Sequence, residues 1–218
     1  MASRHERLLG GVSALTSPLA WDADGVVVNS RAAAWCAVGD IVGLFQDRPT
    51  ISSAEDRTRV FSRSAQAEIA GEDGAETLRE LHRLLMRKRA NTVAVFDGVL
   101  DIVARLERRP PLITAAYAEG IRGALGNKAD LFSDIQGCER GPKETLLARA
   151  AQQGLRWFVT DTVADLRRCK ANGVKTIAVT WGYDAAADLI AADADVTVCS
   201  PADLTQVLNE LSFLPTTP

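Results

Sequence analysis

Two kinds of apolar pattern alternate along this chain. Short unbroken apolar runs bounded by turn residues read as buried strands, and stretches with apolar residues three or four apart read as helices. The first run leads through Leu19, Ala20 and Trp21 into Asp22 and predicts a strand over 19–22. Helical spacing follows over 31–45 (Ala34, Trp35, Val38, Ile41, Val42, Phe45) and over 54–70 (Val60, Phe61, Ala65, Ile69), broken at Gly71 to Gly74. It resumes over 75–89 with Leu78, Leu81, Leu85 and Met86 on one face. Residues 31–94 therefore read as an all-helical insertion, with Pro49 in a turn between its first two helices.

Beyond it, helical and strand patterns alternate. A helix is expected over 99–106, stopped by Pro110 and Pro111, then a strand over 112–114 and a helix over 118–125. Ile135 sits in a short third strand. Pro142 suits the first position of a helix over 141–153 that Gly154 ends. A buried strand over 157–160 leads to a helix ending at Asn172 and Gly173, then strands over 175–180 and 195–198 and a closing helix over 202–211. Strands alternating with short helices imply an α/β core, a parallel sheet covered on both faces. The expected division is a core of residues 1–30 and 95–218 and a helical cap of residues 31–94.

Composition narrows the class without naming it. The chain has 218 residues, 47% hydrophobic and 24% charged, with a net charge of −3, which does not favour nucleic acid or an anionic membrane. No stretch is long enough to span a bilayer. The apolar segment 8–20 follows Arg4, His5 and Arg7 like a weak signal peptide, but Glu6 and the broken run argue against that. Cys36, Cys138, Cys169 and Cys199 form no C-x-x-C pair, which argues against zinc. Buried or half-buried thiols in a reducing, cytoplasmic setting are expected.

The candidate chemistry lies at strand ends, where ligands bind in such sheets. Asp22 and Asp24 end the first strand, Thr114 and Ala115 the second, and Asp161 the fourth, with Asp165 four residues on. Lys143 begins the preceding helix. Magnesium takes one or two carboxylates plus phosphate oxygens and water, and Asp22 and Asp161 can supply those carboxylates. Lys143 would offset the charge of nucleophile and substrate. Taken singly, Thr114 reads as a helix cap, Lys143 as a solvated first-turn lysine and Asp-Gly as a turn. Their order and spacing together reverse that weighting.

These residues resemble the motifs of the haloacid dehalogenase superfamily, in the branch with a helical cap after the first motif. Asp22 to Ser30 resembles D-x-D-G-x-x-x-x-S, and Leu112-Ile113-Thr114 the second motif. Lys143 matches the third motif, and Val159 to Asp165 resembles the fourth. The stretches 171–183 and 200–204 look like the phosphoglycolate phosphatase-like subgroup. The resemblance implies a magnesium-dependent phosphatase acting on a small phosphorylated metabolite. Asp22 would form an aspartyl-phosphate, and Asp24 would act as general acid and then base. Thr114, Ala115 and Lys143 would hold the phosphoryl group. Asp22, the Asp24 carbonyl and Asp161 would bind Mg2+, with Asp165 completing or orienting that shell.

Three departures bear on substrate more than chemistry: Thr160 where glycine is usual, Pro142 before rather than after Lys143, and Ala115-Ala116 after Thr114. Asp24 argues against dehalogenation, because dehalogenases of this group lack the second acid. The alternatives are a sugar phosphomutase, whose core motifs are shared, and a non-catalytic protein that binds a phosphorylated ligand or partner. Arg59, Arg63, Ser64 and Gln66 are the cap residues expected to face substrate. Lys88, in a basic run, reads as a solvated face rather than a Schiff-base lysine. His82 reads as flanking the apolar helix face rather than acting as a base, and Trp181 and Tyr183 as lining the sheet rim or packing, with packing favoured.

Overall fold

The computed structural model describes residues 17–45 and 63–215. Its strands are β1 (Leu19–Trp21), β2 (Val28–Asn29), β3 (Ala94–Val95), β4 (Leu112–Ile113), β5 (Ile135–Gln136), β6 (Trp157–Thr160), β7 (Lys175–Val179) and β8 (Val196–Val198). Its α-helices are α1 (Arg31–Phe45), α2 (Arg63–Lys88), α3 (Val99–Arg105), α4 (Ala118–Leu125), α5 (Lys143–Gln152), α6 (Val163–Ala171), α7 (Ala186–Ala191) and α8 (Pro201–Glu210).

Six strands form one sheet in the order β5-β4-β1-β6-β7-β8, and every pairing in it is parallel. The chain builds outward from β1 to one edge, returns to pair β6 with β1, and builds to the other edge. The strand order therefore reverses at β1, where open α/β sheets leave a crevice at their carboxyl ends. Period-two alternation divides the sheet's side chains between two cores. Leu19, Trp21, Leu112 and Val159 pack with Val99, Ile102, Ile121, Leu204 and Leu208. Ala20, Ile113 and Phe158 face Leu146, Leu147, Ala150 and Cys169. Trp21 and Phe158 are fully buried, one in each core.

Several expectations require correction. Gly71 and Gly74 do not break the chain, since α2 runs unbroken from Arg63 to Lys88. A glycine inside a helix costs only about 1 kcal/mol relative to alanine, and here α2 lies against α1. Glu76 pairs with Arg79, and Glu80 with Arg83, along the helix surface. The expected helix start at residue 54 lies outside the described residues. Pro142 is the cap residue, and Lys143 is the first residue of α5. The antiparallel pair β2–β3 and the helix α7 carried no expectation, being too short to show a period. Cys36 and Cys199 are exposed rather than buried, Cys138 is half-buried and Cys169 buried. Among the described residues, no helix is long and apolar enough to cross a membrane.

Candidate active site

Asp22 leaves the sheet immediately after β1. Its amide donates to the Val159 carbonyl at 2.8 Å, which keeps it in register with β6. The chain then turns tightly, and the amides of Val27 and Val28 both donate to the Ala23 carbonyl at 2.9 Å. Gly25 makes that turn possible, with φ of 76°. A Cβ there would lie 1.9 Å from Asp161 Oδ2, so both the backbone angle and the space call for glycine.

The turn aims two carboxyl groups differently. Asp22 is 4% exposed. Its Oδ1 accepts from the Ala23 amide at 2.8 Å, and its Oδ2 lies 2.6 Å from Lys143 Nζ. Burial drives the Asp22 carboxyl well above its ordinary value; Lys143 opposes this, and the neighbouring Asp165 and Asp161 add to it. Asp24 is half-buried and accepts from Thr114 Oγ1 at 3.3 Å. Burial raises the Asp24 carboxyl too, against hydrogen bonding from Ser30 and Thr114 and the charge of Lys143. Thr114, just beyond β4, also accepts from the Ala116 amide at 3.0 Å.

Lys143 starts α5 and is buried. Its ammonium lies 2.5 Å from Asp165 Oδ2 and 5.4 Å from the centre of the Phe158 ring. Burial would lower its pKa, but Asp165 and Asp22 outweigh that and hold it above the ordinary lysine value. Asp165 is fully engaged. Oδ1 accepts from Arg168 Nη1 at 2.7 Å, and Oδ2 from Lys143 and from Thr160 Oγ1 at 3.2 Å. Burial alone would raise the Asp165 carboxyl, yet Lys143 and Arg168 outweigh it and hold it at about 2.

Asp161 follows β6 and is fully buried. Oδ2 accepts from the Tyr183 amide at 2.7 Å, whereas Oδ1 has no hydrogen-bond partner. Burial pushes this carboxyl up to about 7, against the Tyr183 amide and Lys143. A buried carboxylate oxygen without a donor is costly, and a hard cation is the natural complement to it. Among the described residues, no three acidic, cysteine or histidine side chains converge as a self-sufficient metal cluster. The donor chemistry at Asp22 and Asp161 fits Mg2+, while both Asp165 oxygens are already committed to cations.

A cavity of about 610 Å³ opens above these groups. Asp22, Asp24, Thr114, Ala115, Lys143 and Asp165 line its floor. Asp161 is not in its wall. Arg59 lies outside the described residues, as does the Arg63 side chain. Among the described residues, α2 brings Arg79, His82, Arg83 and Met86 to the cavity. Their spacing places them along one stripe of the helix, but the apolar stripe beside it dominated the pattern. Tyr183, read as lining the sheet rim or packing, lines the cavity, and its hydroxyl lies 2.8 Å from Ser30 Oγ. Trp181 does pack, edge-on to Phe96 with ring centres 6.4 Å apart. His82 also lines the cavity, and burial pushes it down to about 4, so it is neutral near pH 7.

Comparison with known proteins adds to this geometry. No protein-family model matches the sequence. Over 128 residues the chain is 28% identical to a phosphoglycolate phosphatase of Synechococcus elongatus, a match spanning 54% of this chain and 60% of that protein. Among solved structures, a predicted phosphatase from Clostridium acetobutylicum superposes with a TM-score of 0.76 at 18% identity, covering 88% of this chain and 97% of that one. A haloacid dehalogenase-like family hydrolase from Streptococcus pneumoniae superposes with a TM-score of 0.73 at 17% identity, covering 87% and 97%. The chain therefore has the haloacid dehalogenase-like fold, with the motif residues Asp22, Thr114, Lys143 and Asp161 gathered at the carboxyl edge of its sheet.

Proposed function

We propose that this protein is a magnesium-dependent hydrolase of small phosphomonoesters that works through an aspartyl-phosphate on Asp22. The observation that carries this reading is the buried contact between the Asp22 carboxylate and the Lys143 ammonium at the floor of a cavity that Asp24 also lines. The partial sequence match to a phosphoglycolate phosphatase supports the same reaction class.

Asp22 would attack phosphorus through Oδ2, forming an O–P bond as the ester O–P bond breaks. Lys143 would neutralise charge on both the nucleophile and the phosphoryl oxygens. Thr114 Oγ1 and the Ala115 amide would donate to those oxygens. Asp24, with its carboxyl raised by burial, can hold the proton that the leaving alkoxide needs. It would then take a proton from the water that attacks phosphorus and releases phosphate. Mg2+ held by Asp22, Asp161 and the Asp24 carbonyl would supply charge neutralisation and alignment of the phosphoryl group. The helical segment between β2 and β3 would act as a cap that limits water entry.

Phosphate release from a panel of small phosphomonoesters, with magnesium and with chelator, tests this reading. Metal-dependent release is expected. An isomerised sugar phosphate without net phosphate release would instead identify a mutase, and binding without turnover a non-catalytic protein.

A further inference from the structure

The cavity is much larger than a phosphoryl group requires, and its charges are unevenly placed. The acids Asp22, Asp24 and Asp165 lie at the floor, with Lys143 and Arg168 committed to Asp22 and Asp165. α2 contributes Arg79 and Arg83, one helical turn apart, to the same lining, and both pair with glutamates of their own helix rather than with those acids. Building on the phosphomonoesterase reading, we propose that the substrate carries a second anionic group, remote from the scissile phosphate, which Arg79 and Arg83 bind.

The protein's own carboxylates do not satisfy these guanidiniums. Arg79 pairs with Glu76, and Arg83 reaches Glu76 at 3.5 Å and Glu80 at 3.4 Å. Glu76 is exposed and Glu80 half-buried, and pairs so open to solvent contribute little. Glu80 is shared with the Tyr117 hydroxyl. Arg79 Nε is buried without a hydrogen-bond partner, and a buried N–H left unpaired is costly. An acceptor arriving in the cavity would relieve it. Guanidinium geometry suits a carboxylate or phosphoryl group, which can accept two parallel N–H bonds. Met86, Ala34 and Ala116 also line the cavity, so the linking portion of the substrate would have apolar side chains to meet. The shared chemistry is an anion at the far end of an alkyl or similar spacer.

The test compares kcat/KM for three series of equal spacer length: ω-hydroxyalkyl, ω-carboxyalkyl and ω-phosphoalkyl phosphates. Each is measured in the wild type, Arg79→Gln, Arg83→Gln and, as a control on an exposed residue of α4, Arg122→Gln. At the best spacer length, the wild type is expected to favour an anionic tail over the hydroxyl by at least about tenfold (about 1.4 kcal/mol). The favoured series distinguishes carboxylate from phosphoryl. That preference should fall toward unity in Arg79→Gln and Arg83→Gln and persist in Arg122→Gln. No preference in the wild type, or an equal loss on all three series in the arginine variants, would overturn the proposal. If no ester is cleaved, the hydrolase reading fails separately. Calorimetry with alkane-α,ω-diphosphonates against alkyl monophosphonates then decides: tighter diphosphonate binding lost in Arg79→Gln supports the second anion site, and equal binding contradicts it.

Discussion

Lys143 and Asp22 are in contact at 2.6 Å with both side chains almost wholly out of water. Among the described residues Lys143 is the cation paired with Asp22, and it also neutralises Asp165, so its loss would leave two buried carboxyl groups without it. Removing one partner of a buried ion pair typically costs about 3–5 kcal/mol. Lys143→Met should therefore lower stability by about that much, read from urea denaturation, and abolish phosphate release. A fully stable Lys143→Met protein would show that the buried charges are not interdependent.

Stability without metal should fall as pH rises through neutrality. The Asp161 carboxyl stands at about 7 in the folded chain against an ordinary 3.8, so the folded state holds a proton that the unfolded state has lost. Its contribution is present below about pH 4 and is lost as pH rises toward about 7; Asp22 acts in the same direction. Asp165 acts oppositely, stabilising above about pH 4 and losing that effect as pH falls toward about 2. Urea midpoints in chelator should decline between about pH 5 and pH 8. Magnesium should raise them more at the upper end, because it binds ionised carboxylates of the folded state. Midpoints that rise across that range in chelator would contradict the burial of ionisable Asp161.

Gly182 and Asp161 leave no room for a further atom between them. A Cβ at Gly182 would lie 2.1 Å from Asp161 Oδ2 and 2.3 Å from its Cβ. Gly182→Ala must displace Asp161, so it should weaken magnesium binding by at least about tenfold, the equivalent of about 1.4 kcal/mol. Titration calorimetry measures this, and unchanged affinity would remove Asp161 from the metal site.

Thr160 stands where the resembled motif has glycine, and the structure gives its hydroxyl two roles. It donates to Asp165 Oδ2 at 3.2 Å and accepts from the Thr162 amide at 3.4 Å. Thr160→Val keeps the shape and removes both bonds, which should destabilise by about 1–3 kcal/mol. Equal urea midpoints for the two proteins would show that the hydroxyl is dispensable.

The sheet was legible in the sequence because its strands are unbroken apolar runs between turn residues, as at 157–160 and 175–179. The motif residues were legible because a parallel sheet brings its strand ends to one edge: Thr114, Lys143 and Asp161 all come close to the Asp22–Asp24 turn. Three features were not. The continuity of α2 through Gly71 and Gly74 was hidden because tertiary contact outweighs local propensity. The arginines that face the cavity were hidden because Arg79 and Arg83 resemble any solvated helix face until α2 is placed over the site. Asp165 was legible as completing or orienting a metal shell, but its bonds to Arg168 and Thr160 were not, because they are set by the start of α6 and the end of β6.

The most direct test of the account is to trap the phosphoenzyme. Asp24→Asn removes the base that deprotonates the attacking water, and a phosphate ester with a good leaving group needs no acid to react. Acid-quenched Asp24→Asn protein, mixed with such an ester and magnesium, should carry one phosphoryl group on the peptide containing Asp22, detected by mass spectrometry. The label should be absent when Asp22→Asn is added. Phosphate release by the wild type with no phosphoryl on that peptide, or a label that survives Asp22→Asn, would contradict nucleophilic attack by Asp22.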